Sequence, residues 1–172
     1  CALVRHEFML SDEQLSEYYS NSYRKDYQWV SARPTLKHID KRVSEAKSRL
    51  SKLKPYLRKK SKILDFGCGS GEFIELAQTE GTIARGFEPG YTYASYARGE
   101  KGLNVENCGW ENYTCKEKMD LVTSFHVFEH LTDPIKAFKK AVSWIAEDGL
   151  IFIEVPNMAK SLSLKGFGSL HM

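Results

Sequence analysis

Residues 62–74 read Lys62-Ile63-Leu64-Asp65-Phe66-Gly67-Cys68-Gly69-Ser70-Gly71-Glu72-Phe73-Ile74, and this stretch decides the fold. An apolar run of strand type leads into three glycines at every second position, and a helical apolar pattern follows them. Glycine permits positive φ and leaves no Cβ between the backbone and a ligand. Because the first N–H groups of a helix lack partners within it, the turn is predicted to bind a small polar molecule.

The spacing of the glycines indicates which kind of ligand the turn binds. A dinucleotide fingerprint, G-x-G-x-x-G, would require glycine at position 72, where Glu72 would instead face a pyrophosphate. The observed G-x-G-x-G after Asp65 resembles motif I of the class I S-adenosylmethionine-dependent methyltransferases. The resemblance implies a ligand with a cationic sulfonium, which nearby carboxylates would stabilise.

The next strand supplies a second indication. Residues 82–88 have strand character and end in Glu88-Pro89-Gly90. An acidic side chain at the tip of this strand can accept hydrogen bonds from both ribose hydroxyls of a nucleoside, and Glu88 lies where the family keeps that residue. We expect the glycine turn and Glu88 to hold opposite ends of one adenosyl ligand. The alternative for Glu88 is a solvated loop carboxylate.

The resemblance also implies the other cofactor contacts. Trp110 follows a short third strand, 103–105, and lies in the segment that flanks adenine in the family, although it could equally be a core residue. Tyr23 would cover the methionine end of the ligand, and its alternative is an aromatic contact between the N-terminal arm and the domain. The implied cofactor-binding set is Asp65, Gly67, Cys68, Gly69, Gly71, Phe73, Glu88, Pro89, Trp110, Glu111, His126 and Tyr23.

A fourth strand, 119–125, leads into candidate catalytic residues. The following Glu-His-Leu and Asp-Pro resemble a methyltransferase branch that includes ubiquinone-pathway and sugar enzymes. His126 lies at the carboxyl end of the strand, where open α/β sheets present ligands, and its imidazole suits a general base. A structural or cofactor-contacting histidine is the alternative. His130 and Glu129 are further candidates, but adjacent residues do not share a helix face, so spacing does not support a dyad of these two.

Strands and helices alternate along the chain, which predicts a parallel sheet covered on both faces. The resemblance specifies an α/β, Rossmann-like methyltransferase fold with strand order 3-2-1-4-5 and two further strands, for which this chain has no sequence. A helix over 34–57 is expected to cover the sheet or, alternatively, to form a seam between two chains. A later helix is expected to run from Pro134 to Gly149 before a fifth strand at 150–155, with an inner face made of Ile135, Ala137, Phe138, Ala141, Val142 and Ile145.

The predicted organisation is an arm (1–33), a cofactor-binding domain (34–157) and a tail (158–172). Among the 172 residues, 42% are hydrophobic and 27% are charged, as in soluble globular proteins. No run is long enough for a membrane span and the start does not resemble a signal peptide, so we expect a cytoplasmic protein. The net charge of +3 divides into +7 over residues 1–60 and −4 over residues 61–172.

The four cysteines, Cys1, Cys68, Cys108 and Cys115, share no metal-site spacing, and we expect no bound metal. In one branch of the family a zinc module precedes the domain, and the run after Cys1 resembles that junction. Cys1 would then be one remaining ligand of a four-ligand site, whereas an incidental free cysteine is the alternative.

These patterns predict methyl transfer from S-adenosylmethionine to a small-molecule acceptor, such as a sugar or another polar metabolite, with S-adenosylhomocysteine as the product. Two alternatives remain open: a methyltransferase-like binding module without catalysis, and a nicotinamide-linked oxidoreductase, which Glu72 disfavours. No membrane partner is expected. Nucleic acid is disfavoured because the basic arm lacks a recognised nucleic-acid motif. A dimer through the helix within 36–57 is a further hypothesis.

Overall fold

The computed structural model describes Gln14 and residues 34–157, and the predictions for Cys1 and Tyr23 lie outside these residues. Two short 3₁₀ turns, Lys54–Tyr56 and Phe128–His130, lie between the main elements. In chain order the main elements are α1 (Leu36–Leu53), β1 (Lys62–Phe66), α2 (Glu72–Thr79), β2 (Ile83–Phe87), α3 (Tyr91–Gly99), β3 (Val105–Glu106), β4 (Met119–Phe125), α4 (Pro134–Ser143) and β5 (Ile145–Glu154).

The five strands form one sheet in the order β3-β2-β1-β4-β5, and every neighbouring pair is parallel. The predicted strand order is therefore confirmed. Phe66 is in register with Phe87 on one side and with Ser124 on the other. Because the strands are parallel and in this register, β1, β2 and β4 end at the same edge of the sheet.

Two apolar cores cover the two faces of the sheet. One contains residues of α1, α2 and α3, among them Leu50, Ile74 and Ala97, together with Ile63 of β1. The other contains residues of α4 with Phe66 and Phe87 of the strands, and Trp144 lies 6.1 Å from Phe66 between ring centroids. Burial on both faces explains why β1 and β4 are apolar along most of their length.

α1 covers the sheet with its C-terminal half. The helix begins after Thr35, whose side chain accepts a hydrogen bond from the His38 N–H at 3.3 Å. Ala46, Leu50 and Leu53 of the predicted stripe are buried, whereas Leu36 at the other end is 80% exposed. The predicted cover is confirmed for the part of the helix that reaches α2 and the sheet.

The predicted inner face of α4 is confirmed for Ala137 and Ala141 and wrong for its large side chains. The helix begins at Pro134, as expected, and Asp133 caps it by accepting a hydrogen bond from the Lys136 N–H at 2.8 Å. It ends at Ser143, and its buried residues are the small Ala137 and Ala141. The large side chains point outward, with exposed fractions of 68% for Ile135, 44% for Phe138 and 48% for Val142.

β5 begins five residues earlier than predicted. Ile145 pairs with Met119, and after a register shift Leu150 pairs with Leu121. Gly149 lies within this irregular part of the strand instead of ending a helix. A Cβ on Gly149 would lie 2.5 Å from Cγ2 of Ile145 and 2.8 Å from the Met119 carbonyl oxygen, so the irregularity requires glycine.

Within the described residues, no helix is both long enough and apolar enough to span a membrane.

Candidate active site

A cavity of about 250 Å³ lies at the shared edge where β1, β2 and β4 end. This volume is close to the lower end of ligand pockets, which is about 300 Å³. Its walls come from the glycine turn, the end of β2, the segment around Trp110, the residues after β4 and one face of α1. The predicted residues on its wall are Asp65, Gly67, Cys68, Gly69, Phe73, Glu88, Pro89, Trp110, Glu111, His126 and His130.

The glycine turn has the backbone conformation that its sequence predicts. Gly67, Gly69 and Gly71 have φ values of 74°, 56° and 81°. A Cβ on Gly67 would lie 2.6 Å from Cγ2 of Val127, a residue of the cavity wall. Gly71 instead precedes α2 and packs against Leu103, and it is not part of the cavity wall.

Glu88 is buried beside the glycine turn. Its Oε2 accepts a hydrogen bond from the Gly69 N–H, and its Oε1 accepts one from the Gly90 N–H, each at 3.0 Å. The turn and Glu88 therefore form one continuous wall, and that they hold two ends of one ligand stays a prediction. An ionised carboxylate offers about four acceptor sites, more than these two backbone bonds use.

Three buried carboxylates line the cavity: Asp65, Glu72 and Glu88. Burial raises the pKa of Asp65 to about 7, although the Thr123 hydroxyl donates a hydrogen bond to its Oδ1 at 2.8 Å and opposes this rise. Glu72 forms an ion pair with Lys101 at 3.2 Å. These carboxylates disfavour a bound pyrophosphate and favour ligands that donate hydrogen bonds or carry positive charge.

Trp110 lines the cavity and also belongs to the core beneath it. Trp110 is thus a core residue that also lines the cavity, and its contact with adenine stays a prediction. Lys140 donates a hydrogen bond to the Glu111 carbonyl oxygen at 2.6 Å, and its Nζ lies 6.0 Å from the Trp110 ring centroid. α4 therefore holds this wall in place through Lys140.

His126 follows β4 in a strained backbone conformation, with φ of 56°. Its N–H donates to the Glu154 carbonyl oxygen at 2.8 Å. The ring lies between two carboxylates, with Nδ1 3.3 Å from Oε1 of Glu129 and Nε2 3.3 Å from Oε1 of Glu154. The strand end thus presents an imidazole with acidic neighbours on both sides.

Glu129 contacts His126 more closely than it contacts His130. Its Oε1 lies 3.8 Å from Nε2 of His130, which is too long for a hydrogen bond. This separation agrees with the expectation that Glu129 and His130 form no dyad. His130 lines the cavity, whereas Glu129 is not on its wall.

α1 contributes His38, Arg42, Ala46 and Arg49 to the wall, and the sequence pattern predicted none of these contacts. Arg49 is only 7% exposed. Its Nε and Nη2 both donate to Oε1 of Glu154, at 3.0 and 2.6 Å, and its guanidinium carbon lies 4.4 Å from the Phe125 ring centroid. Position 49 lies within the buried stripe of α1, and a cation at such a position was the available signal.

Arg49 also lowers the pKa of the Glu154 carboxyl. Burial raises the pKa of this carboxyl, but the hydrogen bond and the positive charge of Arg49 outweigh burial and leave the pKa below its ordinary value. Glu154 is therefore ionised at neutral pH.

The part of the chain that the structure describes contains no group of three or more His, Cys, Asp or Glu residues that could hold a metal ion.

The fold and the site can now be compared with known proteins. A family model described as "Methyltransferase domain" matches residues 23–171. The ubiquinone biosynthesis O-methyltransferase of Glaesserella parasuis is 29% identical over 107 residues, which cover 56% of this chain and 45% of that protein. The enzyme of the same name from Coxiella burnetii is 25% identical, and the match covers 55% of this chain and 43% of that protein. The chain thus matches less than half the length of these relatives.

Solved structures show the same fold. A SAM-dependent methyltransferase from Archaeoglobus fulgidus is 25% identical with a TM-score of 0.59, over 78% of this chain and 57% of that one. The plantazolicin methyltransferase BpumL, solved in complex with SAH, is 15% identical with a TM-score of 0.63, over 92% of this chain and 62% of that one. Since the family model covers most of the sequence, the chain belongs to the methyltransferase domain family.

Proposed function

We propose that this chain binds S-adenosylmethionine in the cavity and transfers its methyl group to a small-molecule acceptor. The observation that carries the proposal is the buried Glu88 carboxylate, which lies against the glycine turn in a cavity lined by two more carboxylates. Such a wall suits ribose hydroxyls and a sulfonium cation. Family membership and the SAH-bound BpumL structure support the same ligand.

The residues of the wall divide into groups that match the parts of this cofactor. Glu88 would accept hydrogen bonds from the ribose hydroxyls, Pro89 and Trp110 would flank the adenine, and Asp65 would face the cationic end. When bound, S-adenosylmethionine supplies a methyl group that its sulfonium already activates. The chain mainly has to align the acceptor with that group, and alignment can contribute about 7 to 11 kcal/mol.

We propose an acceptor that carries a hydroxyl group, within the class of sugars and other polar metabolites. The curated relatives act in O-methylation, which supports an oxygen nucleophile. A hydroxyl is a weak nucleophile until it loses its proton, and an imidazole at the cavity wall is suited to accept it. His126 takes this role because it lies on the wall between two carboxylates that would stabilise its protonated form.

Calorimetric titration of the chain with S-adenosylhomocysteine and with NAD tests the cofactor. We expect only the first to bind. Glu88→Gln should weaken its binding about 10- to 100-fold, because hydrogen bonds to a charged group contribute about 1.5 to 3 kcal/mol. Glu147→Gln, at an exposed carboxylate of β5, is the matched control and should leave the affinity unchanged.

The other outcomes separate the alternatives. Binding of NAD alone would indicate a nicotinamide-linked oxidoreductase, and binding of neither ligand would contradict the proposal. Binding of S-adenosylhomocysteine without methyl transfer to any hydroxyl compound in an acceptor screen would indicate a module that binds the cofactor but does not catalyse.

A further inference from the structure

The ring of His126 contacts carboxylates at both nitrogens, and the two carboxylates differ in how many donors they already accept. Oε1 of Glu154 accepts two hydrogen bonds from Arg49, at 3.0 and 2.6 Å. A carboxylate oxygen has about two acceptor sites, so Arg49 occupies both of them on this atom. Oε1 of Glu154 therefore has little remaining capacity for a proton on Nε2 of His126, although the two atoms are 3.3 Å apart.

Glu129 differs because it hydrogen-bonds the other nitrogen of the ring. Its Oε1 lies 3.3 Å from Nδ1 of His126, while His130 is farther away, at 3.8 Å from the same oxygen. An ionised carboxylate only accepts hydrogen bonds, so this contact requires the proton on Nδ1. A neutral imidazole carries one proton, and Nε2 then has the lone pair.

We propose that Glu129 is a positioning residue that holds neutral His126 as the Nδ1–H tautomer, and that Arg49 preserves this state by occupying Glu154. Nε2 is then the nitrogen that accepts the proton of the acceptor hydroxyl. The O–H bond breaks, its electron pair stays on the oxygen, and a new N–H bond forms at Nε2. The resulting imidazolium lies between the negative charges of Glu129 and Glu154.

The backbone also fixes the position of the His126 ring relative to β5. The His126 N–H donates to the Glu154 carbonyl oxygen, and φ at His126 is 56°. Among the described residues, the charged or titratable groups that contact the ring or its carboxylates are Glu129 and His130 from the 3₁₀ turn, Glu154 from β5, and Arg49 from α1. Arg49 also lies 3.7 Å from Glu45, which offers a control that does not touch the ring.

The tautomer can be measured by NMR without cofactor or acceptor. We would label the histidines with ¹⁵N and record long-range ¹H–¹⁵N spectra at a pH at which His126 is neutral. The His126→Asn spectrum assigns the signals among the five histidines of the chain. We expect the Nδ1–H pattern in the unmodified chain.

Two variants test the roles of Glu129 and Arg49, and a third is their control. Glu129→Leu removes the acceptor of the Nδ1–H hydrogen bond, so the Nε2–H population should rise. Arg49→Gln leaves Glu154 able to accept from Nε2, so the populations should shift in the same direction. Glu45→Gln should leave the pattern unchanged.

An Nε2–H pattern in the unmodified chain would overturn the proposal, and that measurement needs no variant to fold. An unchanged pattern in Glu129→Leu or in Arg49→Gln would overturn the role of the respective residue. The use of the tautomer in proton transfer rests on the proposed function. Titration with S-adenosylhomocysteine tests that function separately, so either can fail without the other.

Discussion

The stability of the fold depends on pH through Asp65, a carboxyl group of the cavity wall. Its pKa is about 7 in the folded chain and 3.8 as an ordinary carboxyl, and burial is the main cause of this difference. Between these two values the folded chain holds a proton that the unfolded chain has lost. The stabilisation by this proton is complete below the lower pKa and is lost as the pH rises through the higher one.

We therefore expect the free energy of unfolding to fall, relative to that of Asp65→Asn, as the pH rises from 4 to 8. The difference over this range should be up to about 4 kcal/mol, since each unit of pKa corresponds to about 1.4 kcal/mol. Urea unfolding of both chains at several pH values measures it. A difference that stays constant with pH would show that Asp65 is ionised throughout.

The residues that the sequence could identify are those that directly follow strands. Glu88 and His126 lie at the ends of β2 and β4, and parallel strands bring such positions to one edge. Arg49 could not be placed in this way, because its position in the site depends on how α1 packs against β5. An arginine within an apolar stripe indicates a buried cation, but not the carboxylate that pairs with it.

At the scale of the elements, the absence of a side chain at Gly86 lets β2 lie close to β1 and to the glycine turn. A Cβ on Gly86 would lie 2.8 Å from the Asp65 carbonyl oxygen and 2.9 Å from Cβ of Cys68. We expect Gly86→Ala to destabilise the chain by about 1 to 3 kcal/mol, because the contacted backbone must move. Thermal unfolding monitored by circular dichroism measures this effect.

Gly99 is the matched control for this glycine. It ends α3, and a Cβ there would have no atom within 4 Å. Gly99→Ala should leave the stability unchanged or raise it by up to about 1 kcal/mol. Equal losses from both substitutions would contradict the close approach at Gly86.

The two faces of α4 give a second comparison within one element. Ala141 is buried against the sheet, so Ala141→Leu should destabilise the chain by about 1 to 3 kcal/mol through overpacking. Phe138 is largely exposed, and Phe138→Ser should change the free energy of unfolding by about 0.5 kcal/mol or less. Urea unfolding of the two variants distinguishes the buried part of the predicted face from its exposed part, and equal losses would contradict the observed packing.

The sequence could not choose this face because the apolar residues of α4 occupy more than one side of the helix. Periodicity identified the helix and its start at Pro134, and both are confirmed. Which side meets the sheet depends on how close the backbones come, and Ala137 and Ala141 permit the closest approach. The predicted face combined both alanines with Ile135, Phe138 and Val142, and only the alanines meet the sheet.

At the scale of the whole molecule, the ion pair of Arg49 and Glu154 joins α1 to β5 across 105 residues of sequence. We expect Arg49→Ala to destabilise the chain by about 1 to 3 kcal/mol, less than for a fully buried pair because Glu154 is partly exposed. The double variant with Glu154→Ala should lose less than the sum of the two single losses. A double-mutant cycle by urea unfolding measures this coupling, and additive losses would contradict it.

The strand order could be predicted through the resemblance to the family, since the alternation of strands and helices by itself predicts only a parallel sheet. Alternating strands and helices require crossovers of one hand, and the motifs after β1, β2 and β4 specify the family arrangement. The boundaries of β5 and the walls from α1 could not be predicted in the same way. They depend on a register shift and on packing between residues that are far apart in the sequence.

The central position of β1 has a consequence for how the chain assembles. Lys62 pairs with Ile83, 21 residues away, whereas Ile63 pairs with Leu121, 58 residues away. Closing the shorter loop costs about 1 kcal/mol less entropy, so the half of the sheet around the glycine turn should order first. The glycine turn would then form before β4 and β5, which bring His126 and Glu154 together, join the sheet.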